Sequence, residues 1–245
     1  MITELCPFVY SIENTLDDYT CDELISLYDL PEIQEFIITK TDLSPNKKNS
    51  NLLTPDTDLI KDYADIEISN LVAENSTDIK IHGKLKILDD ALFKSLSEGL
   101  TILSDFLEDK SIIMSKIVKR VKGLDNSSVN HNPVIPLNET NGRFEHHFFS
   151  DLGYQIQKCG KEYKGFVLHD DFYPERTLVY QWFLNDDFEG GETVFTYPGY
   201  HVKPKKGSLM FFPACWTHSH IGLAPKNDYK YIVTGWMRYK SQAFK

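Results

Sequence analysis

Apolar residues fall at helical spacing in the first part of the chain and at strand spacing in the second, with the change near residue 145. Leu88, Leu92, Leu96, Leu100, Leu103 and Leu107 recur at threes and fours, which gathers them on one face of an amphipathic helix. Leucines so spaced predict a core face packed on a sheet, not a cofactor box. Thr20-Cys21-Asp22-Glu23 has the form of a capping box and predicts a helix opening there and continuing through Leu24, Ile25 and Leu27. Residues Asp58 to Asn75 also carry apolar side chains at roughly helical spacing. Residues 122–143 are rich in Asn, Ser, Pro and Gly and predict a long loop, either a lid or a surface excursion.

From Gly153 onward the pattern is one of short strands. Tyr154–Cys159, Tyr163–His169, Thr177–Leu184, Glu192–Phe195, Ser208–Phe212 and Lys230–Tyr239 are β-branched or aromatic runs punctuated by Gly, Pro, Asn and Asp. The fold class expected is mainly β with α, a double sheet or jelly roll buttressed by N-terminal helices. The whole chain, 1–245, is expected to form one domain, with residues 1–145 as support and 146–245 as the core.

Composition narrows the class without choosing a function. Hydrophobic residues at 41% and charged residues at 25% are ordinary for a globular protein. A net charge of -10 argues against a general nucleic-acid binder, which needs a basic face to displace counterions. Cys6, Cys21, Cys159 and Cys215 form no CxxC pair and no disulfide framework, so reduced and mostly buried thiols are expected. Residues 1–20 have no basic and apolar leader pattern, and no membrane-spanning run follows, which makes a reducing cytoplasm the expected location.

The candidate chemistry lies in His169-Asp170-Asp171, at the end of a predicted strand. Residues two apart on a strand share a face, so His169 and Asp171 can converge on one ion while Asp170 points away. Two neutral imidazoles and a carboxylate hold iron(II) and leave positions open for a bidentate cosubstrate and dioxygen. An HxD triplet alone is weak, and the third ligand must come from elsewhere. His218 and His220, in Trp216-Thr217-His218-Ser219-His220, fall on one side of a strand, so alternation does not separate them. Lys230, ten residues after His220, favours His220. A hairpin through Pro225-Lys226-Asn227-Asp228 would return Lys230 on the adjacent strand, where its ammonium could hold the far end of a dicarboxylate.

With these residues in place the sequence resembles the prolyl 4-hydroxylase-like branch of the iron(II)/2-oxoglutarate dioxygenases, over about residues 154 to 239. His169 and Asp171 match the family's HxD element, and Arg176 begins the strand that follows. Phe183-Leu184-Asn185-Asp186 is similar to its tyrosine-leucine-asparagine-aspartate strand end. Gly190-Gly191-Glu192-Thr193-Val194-Phe195 matches GGxTxF, and Pro204-Lys205-Lys206-Gly207 matches P-x-x-G. His220, Lys230 ten residues on and Trp236 six beyond complete the order. Trp-Thr-His-Ser-His-x-Gly and Lys-Tyr-Ile-x-Thr-Gly-Trp look closer still to small dioxygenases of phages and marine microbes.

The resemblance implies a double-stranded β-helix with iron(II) on His169, Asp171 and His220. It also implies 2-oxoglutarate as cosubstrate with its C5 carboxylate on Lys230, dioxygen as oxidant, and ascorbate as a candidate reductant. Two family tyrosines are replaced, one by Cys159 and one by Phe183, and Gln157 is the candidate substitute in holding 2-oxoglutarate. Retention of Asp171 implies hydroxylation of an unactivated C–H bond. The substrate expected is a small molecule or a peptide: a protein residue such as proline, or a free amino acid or other metabolite, with a nucleobase disfavoured by charge. No membrane surface is expected as a partner. The alternative is a non-catalytic double-stranded β-helix that binds a metal or sugar, which would have no need of Lys230.

Overall fold

The computed structural model describes residues 1–31, 63–67, 79–122, 149–160, 168–173, 176–197 and 199–239. Its strands are β1 (Ile2–Cys6), β2 (Val9–Ile12), β3 (Tyr63–Glu67), β4 (Phe149–Cys159), β5 (Leu178–Phe183), β6 (Thr193–Phe195), β7 (Tyr200–Val202), β8 (Leu209–Pro213), β9 (His220–Gly222) and β10 (Lys230–Tyr239). They form a seven-stranded sheet in the order β1-β2-β8-β5-β10-β4-β3 and a three-stranded sheet in the order β7-β6-β9. The strand pairings within both sheets are antiparallel. This is the mainly β, double-stranded β-helix architecture expected.

Alternation along the central strands supplies two cores, one on each face of the large sheet. Tyr180, Trp182, Leu209, Phe211, Tyr231 and Val233 join the helices in one buried cluster. Their neighbours Val179, Phe183, Met210, Phe212 and Ile232 point the other way and pack with Phe195 and Val202 of the small sheet. Strands buried on both faces read as continuous hydrophobic runs, as these do.

Helix α1 (Asp18–Tyr28) and helix α2 (Ile79–Lys122) cover the outer face. Leu88, Leu92, Leu96, Leu100 and Leu103 of α2 are buried there, as their spacing predicts. Gly99 lets α2 approach β8, since a Cβ there would lie 2.5 Å from the Leu209 side chain. The Trp182 indole N–H donates to Ser95 Oγ at 3.0 Å and fixes the helix in register with β5.

Several expectations need correction. Helix α1 starts three residues before the predicted box: Asp17 is its N-cap and its side chain accepts from Thr20 N. Residues 63–67, inside the stretch with helical spacing, form β3 and pair with β4. β1, β2 and β3, all from residues 1–145, belong to the large sheet. The predicted loop 123–143 and most of the predicted strand Tyr163–His169 lie outside the described residues. Cys6, Cys21 and Cys159 are buried and Cys215 is half-buried, and none of the four is in a disulfide. Among the described residues, no helix is long and apolar enough to cross a membrane.

Candidate active site

Strand β10 lies between β4 and β5, and alternate residues Lys230, Ile232, Thr234 and Trp236 face one cavity between the sheets. Pairing sets them in rows. Lys230 lies opposite Cys159, and Ile232 lies between Gln157 and Phe183. Thr234 lies between Gln155 and Gln181, and Trp236 lies opposite Val179. The cavity, about 260 Å³, is also lined by His169, Asp171 and His220.

His169 and His220 come together through a reciprocal pair of backbone hydrogen bonds, His169 N to His220 O at 3.2 Å and His220 N to His169 O at 2.8 Å. Their rings lie 4.4 Å apart between centroids. The His220 ring also packs edge-on against Phe212 and tilted against Phe195, which restricts its orientation. Its Nδ1 lies 3.0 Å from the His218 carbonyl, which can only accept, so Nδ1 carries the proton and Nε2 keeps its lone pair. That Nε2 lies 3.7 Å from Asp171 Oδ2. Burial pushes the His220 pKa down against the opposing pull of Asp171, which favours the neutral, ligating form.

The Asp171 carboxylate is shared between two tasks. Its Oδ1 accepts from the Trp236 indole N–H at 2.9 Å, and the Arg176 guanidinium lies 3.9 Å from the same oxygen. Oδ2 is the oxygen turned toward His220. One ligand atom from each of His169, Asp171 and His220 can be chosen so that all lie within 4.8 Å of one another. Two imidazoles and one carboxylate on one side of a cavity suit iron(II), so the residues fit the metal that the resemblance implies. The convergence does not come from strand alternation: within 168–173 only His169 makes a β-bridge, and the Asp170 side chain turns back to accept from Phe172 N.

His218 is excluded from the cluster by its own local structure. It closes a short 3-10 turn, Trp216–His218, so the alternation expected to place it beside His220 does not apply. Its Nε2 lies 3.0 Å from Pro7 O and its Nδ1 2.9 Å from Thr217 Oγ1, which engages both ring nitrogens. Its role is to tie this turn to the β1–β2 connection.

Lys230 is 2% exposed, and its ammonium donates to Gly191 O at 3.0 Å. Among the described residues no carboxylate lies within ion-pair distance of it, and burial pushes its pKa down. The Gly190-Gly191 turn has φ of 76° and 72°, and a Cβ at Gly191 would press on the Lys230 stem at 3.3 Å. Lys230 does not return by a hairpin on the strand next to His220. β9 belongs to the small sheet and β10 to the large one, and the Pro225–Asp228 segment carries the chain across. Gln157 lines the same cavity on β4 and is engaged with a partner.

Sequence reasoning gave no role to several residues here. Arg176 stacks on the Trp236 ring at 3.7 Å, so guanidinium, indole and Asp171 form one support. Gln155, Gln181 and Thr234 form a polar row lining the cavity; alternation from Lys230 along β10 signals Thr234, and strand register adds the two glutamines. Asp186 and Asp187 line a different cavity with Asp22 and Lys206.

Residues 154–238 match the family described as the 2OG-Fe(II) oxygenase superfamily. The chain has no significant match among curated proteins. Among solved structures it is similar to a viral collagen prolyl hydroxylase from Paramecium Bursaria Chlorella virus-1 in complex with 2OG, at 18% identity over 95% of this chain and 96% of that one, with a TM-score of 0.43. A prolyl hydroxylase from Trichoplax adhaerens, in complex with a hypoxia inducible factor peptide fragment, is similar at 11% identity over 95% of this chain and 84% of that one, with a TM-score of 0.53. The second likeness supports the double-stranded β-helix fold.

Proposed function

On the premise that residues 154–238 are a 2OG-Fe(II) oxygenase domain, we propose that His169, Asp171 and His220 hold the iron and that Lys230 holds the C5 carboxylate of 2-oxoglutarate. The domain makes the chain an oxygenase that uses ferrous iron, 2-oxoglutarate and dioxygen, which together supply oxidative decarboxylation of the cosubstrate and oxygen insertion into an unactivated C–H bond. The observation that carries the assignment is the convergence of the His169, Asp171 and His220 ligand atoms on the cavity that also contains Lys230.

The protein's own part is positioning and exclusion of water. The His218 carbonyl keeps the His220 proton on Nδ1 and so presents Nε2. Trp236 restrains one Asp171 oxygen and leaves the other for the metal. A buried ammonium with one neutral partner is poorly compensated, so an arriving carboxylate gains a strong, charge-assisted hydrogen bond. Phe195 and Phe212 wall the site on the His220 side and keep solvent away.

The substrate favoured is a side chain on a peptide or protein, with proline the first candidate; a free small metabolite is the second reading. At about 260 Å³ the cavity falls just below the ~300–1,000 Å³ of most ligand pockets. It has room for the cosubstrate and a side-chain-sized group. Phe172 and Tyr173, directly after Asp171, are 67% and 65% exposed and offer an apolar rim to a peptide backbone. Succinate release measured with proline-containing peptides against free amino acids tests this. Stimulation by peptides is expected, and stimulation by free amino acids alone would move the substrate to small metabolites.

A further inference from the structure

Among the described residues, the cavity lining holds one buried polar side-chain atom without a partner. Gln181 sits on β5 in the middle of the large sheet, 6% exposed, between Met210 of β8 and Thr234 of β10. Its Oε1 accepts from Thr234 Oγ1 at 3.4 Å, and its buried Nε2 has no hydrogen-bond partner among the described residues. Leaving such a donor unsatisfied costs about 1–3 kcal/mol, so it points to a ligand that completes it.

Its place along the cavity says which ligand. Thr234, its cross-strand neighbour, is two residues from Trp236, which holds Asp171, and four from Lys230. Gln181 therefore lies between the metal-ligand cluster and the buried ammonium, nearer the former. A five-carbon dicarboxylate reaching from one to the other must pass this row. Phe172 and Tyr173, which would meet a larger substrate, are exposed, whereas Gln181 is buried. At the two positions where tyrosine hydroxyls would be expected, the chain has Cys159 and Phe183, and Phe183 has no donor. Gln157, the substitute that sequence suggests, is already engaged.

We propose that Gln181 is a cosubstrate-binding residue: its amide N–H donates to the metal-proximal carboxylate of 2-oxoglutarate. The inference rests on the oxygenase reading above and adds the residue that would hold the second end of the cosubstrate. Thr234 holds the amide oxygen at 3.4 Å, on a side chain that lines the cavity.

The test is anaerobic 2-oxoglutarate binding to the iron(II)-loaded protein, read by calorimetry and by the ligand-induced shift in melting temperature. Gln181→Met keeps volume and removes the orphaned donor. It should melt no lower than wild type without cosubstrate, bind iron equally, and bind 2-oxoglutarate about tenfold more weakly. Gln181→Glu, nearly isosteric, turns the donor into an acceptor and should bind still more weakly. Cosubstrate affinity within about twofold of wild type in both Gln181 variants, with iron retained, overturns the proposal. A larger loss in Gln157→Met than in Gln181→Met also overturns it. Failure of iron-loaded wild type itself to bind 2-oxoglutarate would instead overturn the oxygenase reading on which the proposal rests.

Discussion

Replacing Lys230 by methionine separates a structural lysine from a ligand-binding one, because the two roles have opposite consequences. In the cosubstrate-free protein the Lys230 ammonium is buried with one neutral partner, the Gly191 carbonyl, and no carboxylate in reach among the described residues. Methionine fills much of the same space without the charge, and substitutions of this kind are often neutral or stabilising. The free protein should therefore melt at the same temperature or higher. Burial lowers the Lys230 pKa, so the folded state binds fewer protons than the unfolded chain. Wild type should then gain on Lys230→Met as pH rises toward the ordinary lysine value of 10.5, and lose ground as pH falls. Cosubstrate binding should move the other way. A hydrogen bond to a charged group contributes about 1.5–3 kcal/mol, which at about 1.4 kcal/mol per decade is roughly ten- to 150-fold in dissociation constant. Paired melting curves with and without 2-oxoglutarate, on iron(II)-loaded protein under anaerobic conditions, measure both effects. A variant that melts well below wild type yet binds 2-oxoglutarate normally would refute the assignment.

Three other substitutions examine separate parts of the account. His220→Ala should abolish stoichiometric iron(II) binding, whereas His218→Ala should retain iron and lose about 1–3 kcal/mol of stability through the orphaned Pro7 carbonyl; metal analysis and denaturant melts distinguish them, and the reverse pattern would move the third ligand. Trp236→Phe keeps an aromatic ring under Arg176 but removes the donor to Asp171 Oδ1, so iron affinity should fall about ten- to a hundredfold in a competitive chelator titration. Leu96→Ala, on the buried face of α2, should cost about 2–5 kcal/mol in a urea melt and leave the iron affinity of the folded protein unchanged.

The parts of the fold legible in the sequence are those where burial imposes a period. The leucines from Leu88 to Leu103 announce their helix because one face meets the sheet. The runs around Val179–Phe183 and Leu209–Phe212 announce strands because both of their faces are buried. Elsewhere, long-range pairing decides. Tyr63–Glu67 has no strand signal of its own and is held by β4. The β1–β2 hairpin turns at Phe8 with φ of 62° and none of the glycine or asparagine that marks such turns. In the candidate site, His169 and Asp171 were readable as a close pair and His220 and Lys230 by their ten-residue spacing, in an order that resembles the oxygenase family. The Lys230 spacing favoured His220 over His218, but the 3-10 turn that takes His218 out of the cluster is not anticipated by alternation. The support of Asp171 by Trp236 and the orphaned Gln181 amide emerge only from strand register across β4, β5 and β10.

The central claim is that His169, Asp171, His220 and Lys230 form one iron(II) and 2-oxoglutarate site. Its most direct test is anaerobic titration of 2-oxoglutarate into the iron(II)-loaded protein, followed by the visible metal-to-ligand charge-transfer band. A saturable band that is absent in His169→Ala and needs more 2-oxoglutarate in Lys230→Met is the expected result. Stoichiometrically bound iron with no band at any 2-oxoglutarate concentration would contradict it, and would favour a metal-binding β-helix without this cosubstrate.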